Sequence, residues 1–120
     1  MGKFQELKVW QKAKELAISV YKITGEEPFQ KDWGLRDQIR RVVVSIPSNI
    51  AEGDELGSNR QAIKFFYTAK ASSAEVLTQA LIAHEIGYLE KAPFDHVRKE
   101  CHAISAMLTR LIQARLKKKS

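Results

Sequence analysis

The chain has 120 residues, of which 44% are apolar and 28% charged; this fits one compact domain over residues 1–120 and excludes disordered, collagen-like and low-complexity classes. Only six Gly and three Pro disfavour a turn-rich sandwich or barrel, and the longest apolar run, residues 80–83, is too short to cross a bilayer. The formal charge of +6 is uneven: residues 1–90 balance twelve Lys/Arg against twelve Asp/Glu, whereas residues 91–120 hold eight against two.

Apolar spacing predicts four helices in sequence. In the first, Trp10, Ala13, Ala17, Val20 and Tyr21 recur at three- and four-residue steps, with Gly25 as a left-handed stop. The second starts near Asp32, a good N-cap, buries Leu35, Ile39, Val42, Val43, Ile46 and Ile50, kinks at Pro47 and ends at Gly53. Residues 54–57 read as a linker. Ser58 followed by Gln61 forms a capping box that opens a third helix. Ala62, Phe66, Ala69, Ser73, Val76, Ala80 and Ala83 then keep helical register up to Gly87. Pro93 opens the fourth, whose seam is Val97, Cys101, Ile104, Leu108 and Leu111, widened by Met107 and Ile112. No segment alternates as a strand does. The expected fold is all-α, an antiparallel up-down four-helix bundle with short connections and a kinked second helix.

Two apolar triplets exceed what one core can take. Phe65, Phe66 and Tyr67, like Val42, Val43 and Val44, are consecutive and fan out over roughly 200° of a helix surface. One member of each triplet must face away from the bundle seam. Val44, Phe65 and Tyr67 are therefore candidate contacts for self-association, against the plainer reading of single half-exposed side chains.

Catalytic and metal-binding patterns are missing. No Glu lies three residues before His84, His96 or His102, and the His84-Glu85 pair continues to Tyr88 where a zinc-binding helix needs a second His. Cys101 and His102 are adjacent on a helix and diverge by about 100°, a poor nucleophile–base geometry. The six glycines make no phosphate-binding loop. Asp54 and Glu55 sit in the expected linker, without apolar burial to raise a pKa. The expectation is a non-enzyme with no metal, cofactor or evident small-molecule substrate. With one Cys and no apolar leader, a cytoplasmic protein is expected.

The stretch Ser45-Ile46-Pro47-Ser48-Asn49-Ile50-Ala51-Glu52-Gly53 combines a helix-interior proline with several short polar side chains. These can satisfy the carbonyls around Val43 that the proline disturbs. Alternatively, Asn49 and Glu52, three residues apart on one face, can meet a ligand or subunit.

The motif Ser48-Asn49-Ile50-Ala51-Glu52-Gly53 resembles the signature of the four-helix-bundle proteins called 23S rRNA-intervening-sequence proteins. So does its approach through Gly34-Leu35, Gln38-Ile39-Arg40-Arg41 and Ser45-Ile46-Pro47, together with the opening Phe4…Leu7-x-Val9-Trp10-Gln11 and the closing Met107-Leu108…Leu111-Ile112. The resemblance covers nearly the whole chain. It implies a bacterial protein forming a ring-shaped homopentamer of antiparallel bundles, with a largely undefined role. A distant relative, the accessory protein of diversity-generating retroelements, binds nucleic acid and a reverse transcriptase through a basic surface.

The functional expectation follows from charge and assembly together. A homo-oligomer would multiply the basic cluster and bind RNA or DNA, or a nucleoprotein, through salt-sensitive contacts. Arg115, Lys117, Lys118 and Lys119 are the first candidates for that contact, with Arg40 and Arg41 second. Arg41 has Asp37 four residues before it as an alternative partner. Trp10 and Trp33 lack the adjacent basic stripe of a stacking platform. The competing expectation is a protein-interaction scaffold that never touches nucleic acid.

Overall fold

A computed structural model describes residues 3–56 and 58–117 of the chain. Four helices, α1 (Lys8–Thr24), α2 (Trp33–Glu55), α3 (Asn59–Glu85) and α4 (Lys91–Leu116), pack in chain order around one core, with α1 against α4 closing the bundle. Short turns of 3₁₀ helix, Phe4–Glu6 and Phe29–Lys31, precede α1 and α2. The bundle measures 49 × 20 × 19 Å. Among the described residues there is no strand, and no helix is long and apolar enough to cross a membrane.

Sequence dictates the starts of two helices directly. The Asp32 carboxylate accepts the Leu35 N–H at 3.0 Å and opens α2. The Ser58 hydroxyl accepts the Gln61 N–H at 3.2 Å and opens α3. The core faces follow from the three- and four-residue spacing: Ala62, Phe66, Ala69, Ser73, Val76, Ala80 and Ala83 are all buried, as are Ile39, Val42, Val43, Ile46 and Ile50. Each large buried side chain contributes about 1.5–3 kcal/mol, so packing rather than intrinsic propensity holds these helices.

The structure corrects several details. Gly25 is right-handed (φ −83°), and the left-handed stop is Gly87 (φ +91°). There the Gly87 N–H donates to His84 O at 3.1 Å and the Tyr88 N–H to Ala83 O at 2.8 Å, the paired closure that positive φ permits. Gly53 does not end α2; it is buried inside the helix, which continues through Asp54 to Glu55. Pro93 is the third residue of α4, behind Lys91 and Ala92, where its missing N–H is still without a helical partner. In α1, Ala13, Ala17 and Val20 face inward as expected and Val9 and Leu16 join them, whereas Trp10 is half-buried and Tyr21 is 46% exposed. In α4, Phe94 and Ile112 complete the buried seam, and Leu111 lies beside it.

Pro47 lies within α2 as expected. The Ser45 hydroxyl sits 2.6 Å from Val42 O and 2.8 Å from the Ser72 hydroxyl, so it donates to the first and accepts from the second. The Asn49 amide donates to Ser45 O at 2.7 Å. These side chains bond carbonyls on either side of the one the proline leaves unpaired, and Ser45 joins α2 to α3.

Cys101 is 2% exposed in the seam. Burial, with a smaller contribution from the Glu100 charge, pushes its thiol up to about 12, so the reactive thiolate is scarce at neutral pH. A thiol reagent at about pH 8, near the ordinary thiol pKa, is expected to label the folded chain only as fast as it unfolds. Prompt labelling without denaturant would contradict that burial.

Candidate nucleic-acid interface

No Asp or Glu occurs between Glu55 and Glu75, and none follows Glu100. The first acid-free run makes the N-terminal half of α3 and the second the C-terminal part of α4. These helices are antiparallel neighbours, so both runs fall at the same end of the bundle. Arg60, Lys64 and Lys70 stand there on α3, and Arg110 and Arg115 on α4, with Lys117 directly after it.

Arg115 is the exception among these cations. Its guanidinium donates to Asp54 Oδ1 at 2.9 Å and to Asn59 Oδ1 at 3.3 Å, and lies 5.4 Å from the centre of the Phe66 ring. Both partners of the pair are largely buried, with 18% of the Arg115 side chain and 7% of Asp54 exposed. Asp54 is therefore no linker acid but the neutralising partner of Arg115. The pair ties the ends of α2, α3 and α4 together. Among the described residues, no ion pair or side-chain hydrogen bond holds Arg60, Lys64, Lys70, Arg110 or Lys117, and all but the half-buried Lys70 are exposed.

Two adjoining grooves run between α3 and α4 at this end. One, of about 400 Å³, is lined by Asn59, Arg60, Ile63, Lys64, Tyr67, Arg115 and Leu116. The other, of about 200 Å³, is lined by Tyr67, Lys70, Thr109, Ile112, Gln113 and Leu116. Tyr67, 53% exposed, stands where they join. A third groove, of about 290 Å³, lies between α1 and α4, where Lys8 and Arg110 flank Leu7, Val9, Met107 and Leu111.

The remaining cations named from sequence scatter. Arg40 belongs to the opposite half of the bundle. Its Nε donates to the buried Thr24 hydroxyl at 2.8 Å, its Nη2 to Tyr21 O at 3.1 Å, and the guanidinium stacks 4.6 Å from the Tyr21 ring centre. It fastens α2 to the end of α1. Arg41 is exposed, and Asp37 pairs with Arg36 at 2.9 Å instead. Lys117 is exposed at the end of α4, and Lys118 and Lys119 lie outside the described residues. Sequence reasoning missed Arg60, Lys64 and Lys70, although the acid-free run from 56 to 74 was there to mark them.

The Ser48–Gly53 motif is mainly architectural. Ile50 is fully buried, Asn49 bonds within its own helix, and Gly53 leaves room for Phe66; Ser48 and Glu52 are exposed. Of the self-association candidates, Phe65 is half-buried with its Cβ against Gly53, so it belongs to the α2–α3 crossing. Val44 is 41% exposed and joins Ile18 (49%) and Tyr21 (46%). Together with Ala17 and Pro47 they line an apolar groove of about 460 Å³ between α1 and α2, edged by Lys14 and Lys22. A second apolar patch, Leu81, Ile82 and Ile86, is exposed on the C-terminal half of α3. Glu75 and Glu85 flank it, and residues 71–90 contain no Lys or Arg.

No group of three or more His, Cys, Asp or Glu capable of holding a metal occurs among the described residues. His84 is bound structurally: its Nδ1 lies 2.8 Å from Leu89 O, and its ring stacks on Phe94 at 4.8 Å.

The fold defines an all-α four-helix-bundle protein, with a cluster of exposed cations at one end of α3 and α4. Residues 5–110 match the family model of the 23S rRNA-intervening sequence proteins, and the chain belongs to that family. A solved structure with the same fold is a protein of unknown function from the S23 ribosomal protein family of Bacteroides thetaiotaomicron VPI-5482. It is 23% identical with a TM-score of 0.80, over 87% of this chain and 97% of that one. No match is found among curated proteins.

Proposed function

We propose that the protein is a non-enzymatic homo-oligomer that binds RNA or DNA through the basic end of each bundle. The observation that carries the reading is the segregation of charge. Arg60, Lys64, Lys70, Arg110 and Lys117 share one end, the acid-free runs of α3 and α4 supply no counter-charge, Asp54 is already spent on Arg115, and the exposed Glu52 and Glu55 at the end of α2 line neither α3/α4 groove. Such a field concentrates polyanions and gives salt-dependent, largely sequence-independent affinity. Lys118 and Lys119 extend the same run in sequence.

Assembly is supported by two unlike apolar patches of opposite charged edging: the Val44 groove beside Lys14 and Lys22, and the Leu81–Ile86 patch beside Glu75 and Glu85. Unlike patches make a head-to-tail contact, which closes into a ring when the rotation allows; a pentamer is the ring the family resemblance implies. Size-exclusion chromatography with light scattering tests both halves. The parent protein is expected to elute as a multiple of 13.6 kDa and to shift with added RNA at low salt only. Val44→Glu is expected to return it to the mass of one chain with helicity unchanged, since a charge in an apolar contact is strongly disfavoured. A parent protein of one-chain mass would refute the assembly. An oligomer that never shifts with RNA would favour a protein-binding scaffold.

A further inference from the structure

We infer that the α3/α4 groove at Tyr67 takes single-stranded nucleic acid, one base stacking on the Tyr67 ring while neighbouring phosphates meet Arg60, Lys64 and Lys70. This rests on the nucleic-acid reading above and adds the form of the strand.

The argument starts from helical spacing. Arg60, Lys64 and Tyr67 are four and three residues apart and therefore form one stripe, and Lys70 follows on its edge. Arg60 to Lys70 spans ten residues, about 15 Å along the axis. The stripe borders a groove with a mixed lining: half-buried Ile63 and exposed Leu116 form apolar surface, and the cations stand around it. A phosphate gains nothing from Ile63 or Leu116, whereas the face of a base does. Tyr67 is 53% exposed, and among the described residues no other aromatic ring and no cation stacks on it. An unpaired ring among unpaired cations is the combination that single-strand binders use, because every base offers a π face once it is free of a duplex. A duplex keeps its base faces stacked and can use the cations alone. An acidic peptide would also use only the cations.

Fluorescence anisotropy with a labelled oligouridylate of about 12 nucleotides, within the usual site size, and an RNA duplex of equal length distinguishes these ligands. The parent protein is expected to bind the single strand more tightly. Tyr67→Ala is expected to weaken single-strand binding about tenfold at an unchanged salt slope and to leave duplex binding as it was. Tyr67→Phe, which keeps the ring, is expected to stay within about twofold of the parent. Duplex bound as tightly as the single strand, with Tyr67→Ala silent on both, would overturn this inference and leave the nucleic-acid reading standing. Failure of the parent to bind either probe would overturn both. A Tyr67→Ala variant of lower assembled mass by light scattering would place the ring in a subunit contact and refute its role as a base platform.

Discussion

Asp54→Ala is expected to destabilise the protein by about 3 kcal/mol, the lower part of the range for removing one partner of a buried ion pair. The side chains of Asp54 and Arg115 are only 7% and 18% exposed, their contact is 2.9 Å, and Arg115 also bonds Asn59 and faces the Phe66 ring. Without the carboxylate, a guanidinium stays in poorly hydrated surroundings at the meeting point of three helices. Most of the loss comes from that stranded charge rather than from the attraction itself. An apolar replacement of both partners, Asp54→Leu with Arg115→Met, is therefore expected to recover most of the stability. Denaturant unfolding at one protein concentration, which holds any assembly term fixed, measures both. A single variant within about 0.5 kcal/mol of the parent, the usual range for a surface substitution, would show that the pair is solvated and exchangeable. Retained RNA affinity in the double variant is the companion expectation, since Arg115 is already neutralised.

Gly53→Ala is expected to cost about 2 kcal/mol, although alanine ordinarily strengthens a helix by about 1 kcal/mol over glycine. A Cβ at this position would stand 2.8 Å from Phe66 Cε1, 3.1 Å from the backbone oxygen of Ala62 and 3.1 Å from Phe65 Cβ. Phe66 is fully buried and cannot swing aside as a surface side chain can, while Ala62 O is fixed in α3. Overpacking of a tight core costs about 1–3 kcal/mol and more where backbone must move, so the steric effect outweighs the propensity gain. The melting temperature is expected to fall by about 8 °C, at roughly 4 °C per kcal/mol for a chain of this size. A variant that melts at or above the parent temperature would mean that α2 and α3 are not pressed together at this glycine.

The difference between those residues and the ones sequence reading found has a physical origin. Helix number, order and the inward faces of α2 and α3 were legible because burial imposes a 3.6-residue period that needs no knowledge of partners. The Asp32 and Ser58 caps were legible because they act on backbone three residues away. Gly53 was misread as a helix end because glycine has two uses, a left-handed turn and a close helix approach, and only the neighbouring Phe66 decides between them. Gly25 and Gly87 show the same ambiguity resolved in opposite ways.

The candidate site was only partly legible. Net charge pointed to the C-terminal end of the chain, yet Arg115 is tied to an acid 61 residues earlier in sequence, a pairing no local pattern reveals. Arg40 likewise serves Thr24 and Tyr21 of α1. Conversely, Arg60, Lys64 and Lys70 lie in a segment of modest net charge and gain weight only because the antiparallel fold places them beside α4. The two consecutive apolar triplets did signal surface exposure correctly in Val44 and Tyr67, but those residues stand in different grooves with different neighbours.

The most direct test of the account is the salt dependence of RNA binding by the parent protein and by a variant carrying Arg60→Gln, Lys64→Gln and Lys70→Gln. With three phosphates of a single strand contacted by Arg60, Lys64 and Lys70, log K is expected to fall linearly with log salt at a slope near −2, so a change from about 50 to about 200 mM weakens binding roughly twentyfold. The variant, whose substitutions are at exposed or half-exposed positions, is expected to keep the parent's mass and helicity and to lose about two units of that slope. Equal affinity and equal slope in parent and variant would contradict the claim that this end of the bundle is the nucleic-acid interface.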